Sequence, residues 1–86
     1  MLVLLSEVHM KPRIVDSTRT EWQAIPLGPT WINPLGVNLV GPHLDQNLKP
    51  TGATALRMDG GETLYVSEPA VQVVEMINQA EREYLQ

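Results

Sequence analysis

Asp59-Gly60-Gly61 stands between two runs of alternating character, Ala53-Thr54-Ala55-Leu56-Arg57-Met58 and Glu62-Thr63-Leu64-Tyr65-Val66. Asp-Gly at such a point is among the strongest short-range hairpin signals, because the turn needs positive φ and glycine supplies it without a Cβ clash. The period of two puts Leu56, Met58, Leu64 and Val66 on one face, and Arg57, Thr63 and Tyr65 on the other. A helix signature follows at once. Ser67 offers an N-cap, with Glu68 and Pro69 in the first turn. Ala70, Val73, Val74, Ile77, Ala80 and Tyr84 then recur at i, i+3, i+4 and i+7, the stripe of an amphipathic helix. A hairpin that runs straight into such a helix confines the chain to an α+β fold, with the helix stripe laid over the hairpin's apolar face.

The rest of the chain reads as short strands separated by breakers. Leu2 to Val8 is rich in Leu and Val. It reads as a first strand, buried on both faces in its first half. Arg13-Ile14-Val15 reads as a short strand, 16–21 as a turn or loop, and Trp22 to Ile25 as a brief strand. Pro26, Gly28 and Pro29 then punctuate the chain. Thr30 to Asn33 and Val37 to Val40 read as two further strands around the Pro34/Gly36 turn. Residues 41–52 read as a long loop, in which Leu44 and Leu48 form one helical turn or two anchors. The expected architecture is a single domain, 1–86. A small curved antiparallel, barrel-like sheet of four to six strands within 2–66 is capped by one C-terminal helix over about 68–84.

Composition bears on how such a fold is held. With 86 residues, no Cys and no Phe, the core must be aliphatic and unstapled. A chain this short buries only ~60–65% of its unfolded surface, so self-association is expected. Val71 and Met76 fall outside the helix stripe. They are either extra core or a second-subunit interface, which would then comprise Val71, Met76 and Tyr84. Six basic residues are scattered among ten acidic ones, for a net charge of −4, which argues against a phosphate-tracking nucleic-acid surface. No apolar run reaches the ~18–20 residues of a membrane helix. The opening Met1-Leu2-Val3-Leu4-Leu5 lacks a basic flank and reads as strand, not signal peptide, so a cytoplasmic setting is expected.

Trp31-Ile32-Asn33-Pro34, the following Val/Leu strand, the Asp-Gly hairpin and the run Leu64-Tyr65-Val66-Ser67-Glu68-Pro69-Ala70-Val71 into the helix together resemble the short FlbD-like family. That family is named for flagellar gene clusters, and similar reading frames occur in phage and prophage genomes. The resemblance covers about residues 30–80. It implies a core role for Trp31, and it brings no catalytic residues with it. The chain departs from the pattern in a longer segment before Trp31 and a longer 41–52 loop.

No nucleophile elbow, Walker loop or dinucleotide fingerprint is present. His9 and His43 lack a metal-ligand spacing, so no metal and no cofactor are expected. Asp59, Glu62 and Glu68 read as turn and helix-start carboxylates, and the chain as a non-enzyme. The leading expectation is a small phage- or prophage-type interaction protein, an inhibitor or adaptor that binds a host or viral protein in the host cytoplasm. Its contacts would come from Trp22, in a polar segment, and from His43, Leu44, Asp45 and Leu48. A second expectation is an oligomeric binder of an anionic small molecule or signalling nucleotide, using Arg13 and Arg57. A third is a structural component of a virion or appendage.

Overall fold

The computed structural model describes residues 1–84. The side chain of Tyr84, which the sequence offers to an oligomer interface, lies outside the described residues. The elements are β1 (Val3–Asp16), β2 (Arg19–Ile32), a 3-10 turn (Pro34–Gly36), β3 (Val37–Leu44), β4 (Pro50–Met58), β5 (Thr63–Val66) and α1 (Ala70–Tyr84). All strand pairs are antiparallel, in the order β2-β1-β5-β4-β3. The fold is thus the expected α+β one, a curved open sheet of five strands capped by a C-terminal helix.

The β4–β5 hairpin forms where the sequence places it. Leu56 pairs with Leu64 and Arg57 with Thr63, and Gly61 takes φ 88° in the turn. Leu56 and Val66 are fully buried, and Met58 and Leu64 pack beside them. They meet Val3, Leu5, Ile32, Val73, Ile77 and Ala80 in the main core between sheet and helix.

The helix starts later than its cap signals suggest. Ser67 is not its N-cap. The first turn closes with the Val73 N–H donating to the Pro69 carbonyl at 3.0 Å. Ser67 and Glu68 instead extend the line of β5. The Ser67 N–H donates to the Ser6 carbonyl at 2.9 Å, and the Glu68 carboxylate accepts the Ser6 N–H through both oxygens, at 2.9 and 3.1 Å. The Thr54 hydroxyl, almost fully buried, donates to the Glu68 carbonyl. The β1 strand therefore recruits these two residues before the chain can wind. The buried stripe also turns slightly from the expected one. Met76 packs against the chain's own main core, and Val74 is exposed.

Residues 3–32 depart most from the sequence reading. In place of four short strands and a loop, β1 and β2 are two 14-residue strands joined at Asp16–Arg19. Fourteen residues at ~3.3 Å each span about 46 Å, most of the molecule's 53 Å long axis. The prolines that suggested breaks sit where a missing N–H is harmless. Pro26 and Pro29 lie on edge strand β2. Pro12 lies beyond Val8, where β1 has no partner on its β5 side. The register slips between Glu7 and Val8, with Leu27 as the extra residue and Gly28 at φ 115°, and again between Ile14 and Asp16 near the tip.

The first slip redirects β2. Val3 and Leu5 face the helix, and by strand alternation Val8 and Met10 face the other side, where they form a second, smaller core with Ala53, Trp22 and Tyr65. The extra residue in β2 lets Ile32 join the first core and Trp22, also even-numbered, join the second. The expected two-sided burial of the first strand is not seen within one chain, because Leu2 and Leu4 are exposed. Trp31, assigned to the core by the family resemblance, is 63% exposed, since its neighbour Ile32 takes the inward position.

Candidate functional site

The expected 41–52 loop is mostly strand. Residues through Leu44 belong to β3, and β4 begins at Pro50, which leaves only 45–49 as the connection. Gly41-Pro42 does not stop β3 because β3 is an edge strand, where proline is tolerated. The connection is organised by Asp45. Its Oδ1 accepts the N–H groups of Asn47 (2.8 Å) and Lys49 (3.0 Å), and its own N–H and carbonyl bond to Lys49 and Leu48. This frame holds Leu48 at φ 62°, the only positive φ among non-glycine residues described, with its side chain 77% exposed. Leu44 and Leu48 are thus neither a helical turn nor a paired anchor. Leu44 stays on the strand and Leu48 stands at the tip.

The two edge strands meet through side chains. Trp22 of β2 and His43 of β3 lie edge to face, with ring centroids 4.8 Å apart and planes at 77°. Tyr65 meets His43 from the other side at 5.2 Å and 89°. The His43 Nδ1 lies 2.9 Å from the Thr51 hydroxyl, which donates to the His43 carbonyl at 3.1 Å. A hydroxyl has one proton, so Nδ1–H supplies the other bond. The Gln46 amide donates to the Thr20 carbonyl at 3.2 Å, tying the two hairpin ends together. The sheet therefore curls until its edges touch at one end without sharing a backbone ladder.

Between the converging tips lies an open cleft of about 430 Å³, walled by Thr20, Trp22, Asp45, Gln46 and Thr51, with Arg19 and Lys49 at its margins. Arg19 lies 3.7 Å from Glu21, and both side chains are more than half exposed. The Trp22 Nε1 is buried and lacks a hydrogen-bond partner among the described residues. Such an orphan donor costs about 1–3 kcal/mol.

Five residues proposed from sequence as partner contacts are thus placed. Trp22, His43 and Asp45 converge on one end of the molecule, the first two as packed rings and the third as a turn organiser. Leu44 and Leu48 lie beside them. Arg13 and Arg57 do not converge. Arg13 borders a hollow next to Trp22 and Gln23, whereas Arg57 sits six residues along β4 from Thr51, about 20 Å away in an extended strand. On the helix, Val71 is exposed and Met76 is committed to the core, so the expected Val71–Met76 flank is not one surface. Gln46 and Lys49 were not singled out from the sequence, whereas Arg19 belongs with Arg13 and Arg57 among the arginines whose forks suit an anionic ligand. The tight turn at Asp16–Arg19 and the short 45–49 connection bring Arg19, Gln46 and Lys49 together, and no local motif announces a contact between residues 26 positions apart. Among the described residues, no helix is long and apolar enough to cross a membrane. The chain matches no protein-family model, no curated protein and no solved structure in the comparisons made.

Proposed function

We propose that this chain is a small non-enzymatic interaction protein, of the phage or prophage type, that binds and modulates a host or viral protein through its converging hairpin tips. Leu48 carries the reading. An L-residue in the left-handed region costs on the order of 1 kcal/mol, and such strain persists where the surroundings over-determine it. Here the Asp45 hydrogen bonds impose it, and the result is a large apolar side chain held out into solvent beside an open cleft. An exposed apolar side chain ringed by polar groups has the layout of an interface core and its rim. Of the carboxylates Asp59, Glu62 and Glu68, the last holds the Ser6 N–H.

Leu48→Gly separates strain from contact. The substitution removes the left-handed penalty, so the fold should be unchanged or stabilised by up to about 1 kcal/mol. A partner captured from host lysate by the wild-type chain should be lost from this variant. Capture that survives Leu48→Gly and Trp22→Ala alike would sink the reading.

A second reading, an anionic small-molecule binder, draws on the same cleft, where Arg19 and Lys49 are donors. It shifts the proposed cations from Arg13 and Arg57 to Arg19 and Lys49. Native mass spectrometry tests it. Excess mass on the purified chain, lost in Arg19→Ala with Lys49→Ala, would favour this reading over the first.

A further inference from the structure

The run Leu2-Val3-Leu4-Leu5 is apolar at every position, the pattern of a strand buried on both faces. One chain buries only one of them. Val3 and Leu5 lie under α1, while Leu2 (52%) and Leu4 (42%) face solvent. Trp31 is the direct cross-strand partner of Leu4 and is more exposed still. The patch continues without a break. Met1 and Leu2 share a hollow of about 280 Å³ with Leu35, and a second of about 220 Å³ with Leu4 and Met76. Among the described residues, the charged side chains on the walls of these hollows are Glu81 and Glu83, at the helix end.

The area says what could cover it. Met1, Leu2, Leu4, Trp31 and Leu35 together expose roughly 500 Å² of apolar side chain, near the upper end for the largest patch on a monomer. A standard interface takes about 800 Å² from each partner, a little over half of it apolar. The whole chain exposes 5968 Å², against about 5,100 Å² expected for a monomer of this mass, a surplus of the same order. The extended β1–β2 ribbon and this patch both contribute to that surplus. An apolar patch that carries an exposed Trp can meet its own copy across a two-fold axis, the commonest symmetry of soluble oligomers.

We infer that the Leu4–Trp31 face is an isologous interface with a second copy of this chain, centred on the two Trp31 side chains. The interface lies at the opposite end of β1 from the hairpin tips, so it leaves the proposed partner contacts free and does not depend on them.

Sedimentation equilibrium of the wild-type chain, from about 1 µM to about 500 µM, covers the range in which an interface of this size forms. A species of twice 9.6 kDa is expected. Trp31→Glu and Leu4→Glu change residues already exposed in the single chain, and circular dichroism checks that each keeps its fold. Each should raise the dimer dissociation constant by about 100-fold or more, the scale of a central anchor. Val71→Glu, on the exposed helix flank, should leave it unchanged. A wild-type chain that stays at 9.6 kDa throughout would overturn the inference and assign the face to a different molecule. A dimer that survives both β-strand variants, or that falls apart in Val71→Glu, would overturn it by placing the contact elsewhere.

Discussion

Asp16 and Asp45 perform the same local task at the two hairpin tips. Each folds its carboxylate back onto backbone N–H groups two or more residues ahead, the hydrogen-bonded turn that short acidic side chains favour. Asp16 Oδ1 accepts both the Thr18 N–H and the Thr18 hydroxyl at 2.8 Å. The Thr18 backbone bond, then the Thr18 hydroxyl, and further the Arg19 N–H hold the Asp16 carboxyl below its ordinary value. A depressed carboxylate stabilises the folded turn above the unfolded value of about 3.9, and that contribution is lost as pH falls through the folded value. The Thr18 amide shift, followed by NMR, should therefore inflect below pH ~4, and Asp16→Asn should flatten the curve. An inflection at or above the ordinary aspartate value would contradict the assignment. Asp16 is fully exposed, so the effect belongs to the turn and not to global stability. The sequence placed Asp16 in a turn or loop and Asp45 in a long loop as a partner contact. It did not show that Asp45 would force Leu48 into the left-handed region, because that depends on how few residues the strands leave for the connection.

At the scale of elements, the hairpin β4–β5 and the helix α1 are legible, and the ribbon β1–β2 is not. The former carry local signals of one period with turn chemistry between them. The latter contains Pro12, Pro26, Gly28 and Pro29, which locally favour interruption. They are tolerated because β2 is an edge and β1 has no second neighbour beyond Val8, facts of topology that no window of sequence contains. Gly28 is the exception with a positive role. Its φ of 115° accompanies the slip that sends Trp22 to the opposite face of β2 from Ile32. A Cβ at Gly28 would touch nothing within 4 Å, so Gly28→Ala isolates the backbone penalty. We expect a loss of about 1–2 kcal/mol in urea denaturation. Gly41→Ala, also free of contacts but without positive φ, should be close to neutral. Equal effects at the two sites would show that the slip does not require glycine.

At the scale of the whole molecule, the chain holds two cores on opposite faces of one sheet. The main core joins strands to the helix. The smaller one, around Trp22, His43 and Tyr65, joins the two edge strands to each other. Few apolar residues serve the second, so the distal ribbon should open at lower free energy than the rest. Trp22→Ala should therefore raise amide exchange across residues 11–24 while residues near Val3, Leu5, Val73 and Ile77 keep their protection. Uniform loss of protection would mean that the two cores unfold as one unit.

The sequence by itself determined the fold class, the hairpin, the helix and the inward face of the central strands, because these follow from periodicity and turn chemistry carried by adjacent residues. It also marked Trp22, His43 and the 41–52 stretch as worth attention, without showing that they touch. Only the tertiary structure decided that the prolines lie in strand, that β2 and β3 curl into contact, and that Leu4 and Trp31 are left bare. Each of these depends on which strand lacks a neighbour and which face the helix covers. A 15-residue helix covers one face of the sheet at one end only. The apolar residues behind that end are read as core by pattern and left at the surface by geometry.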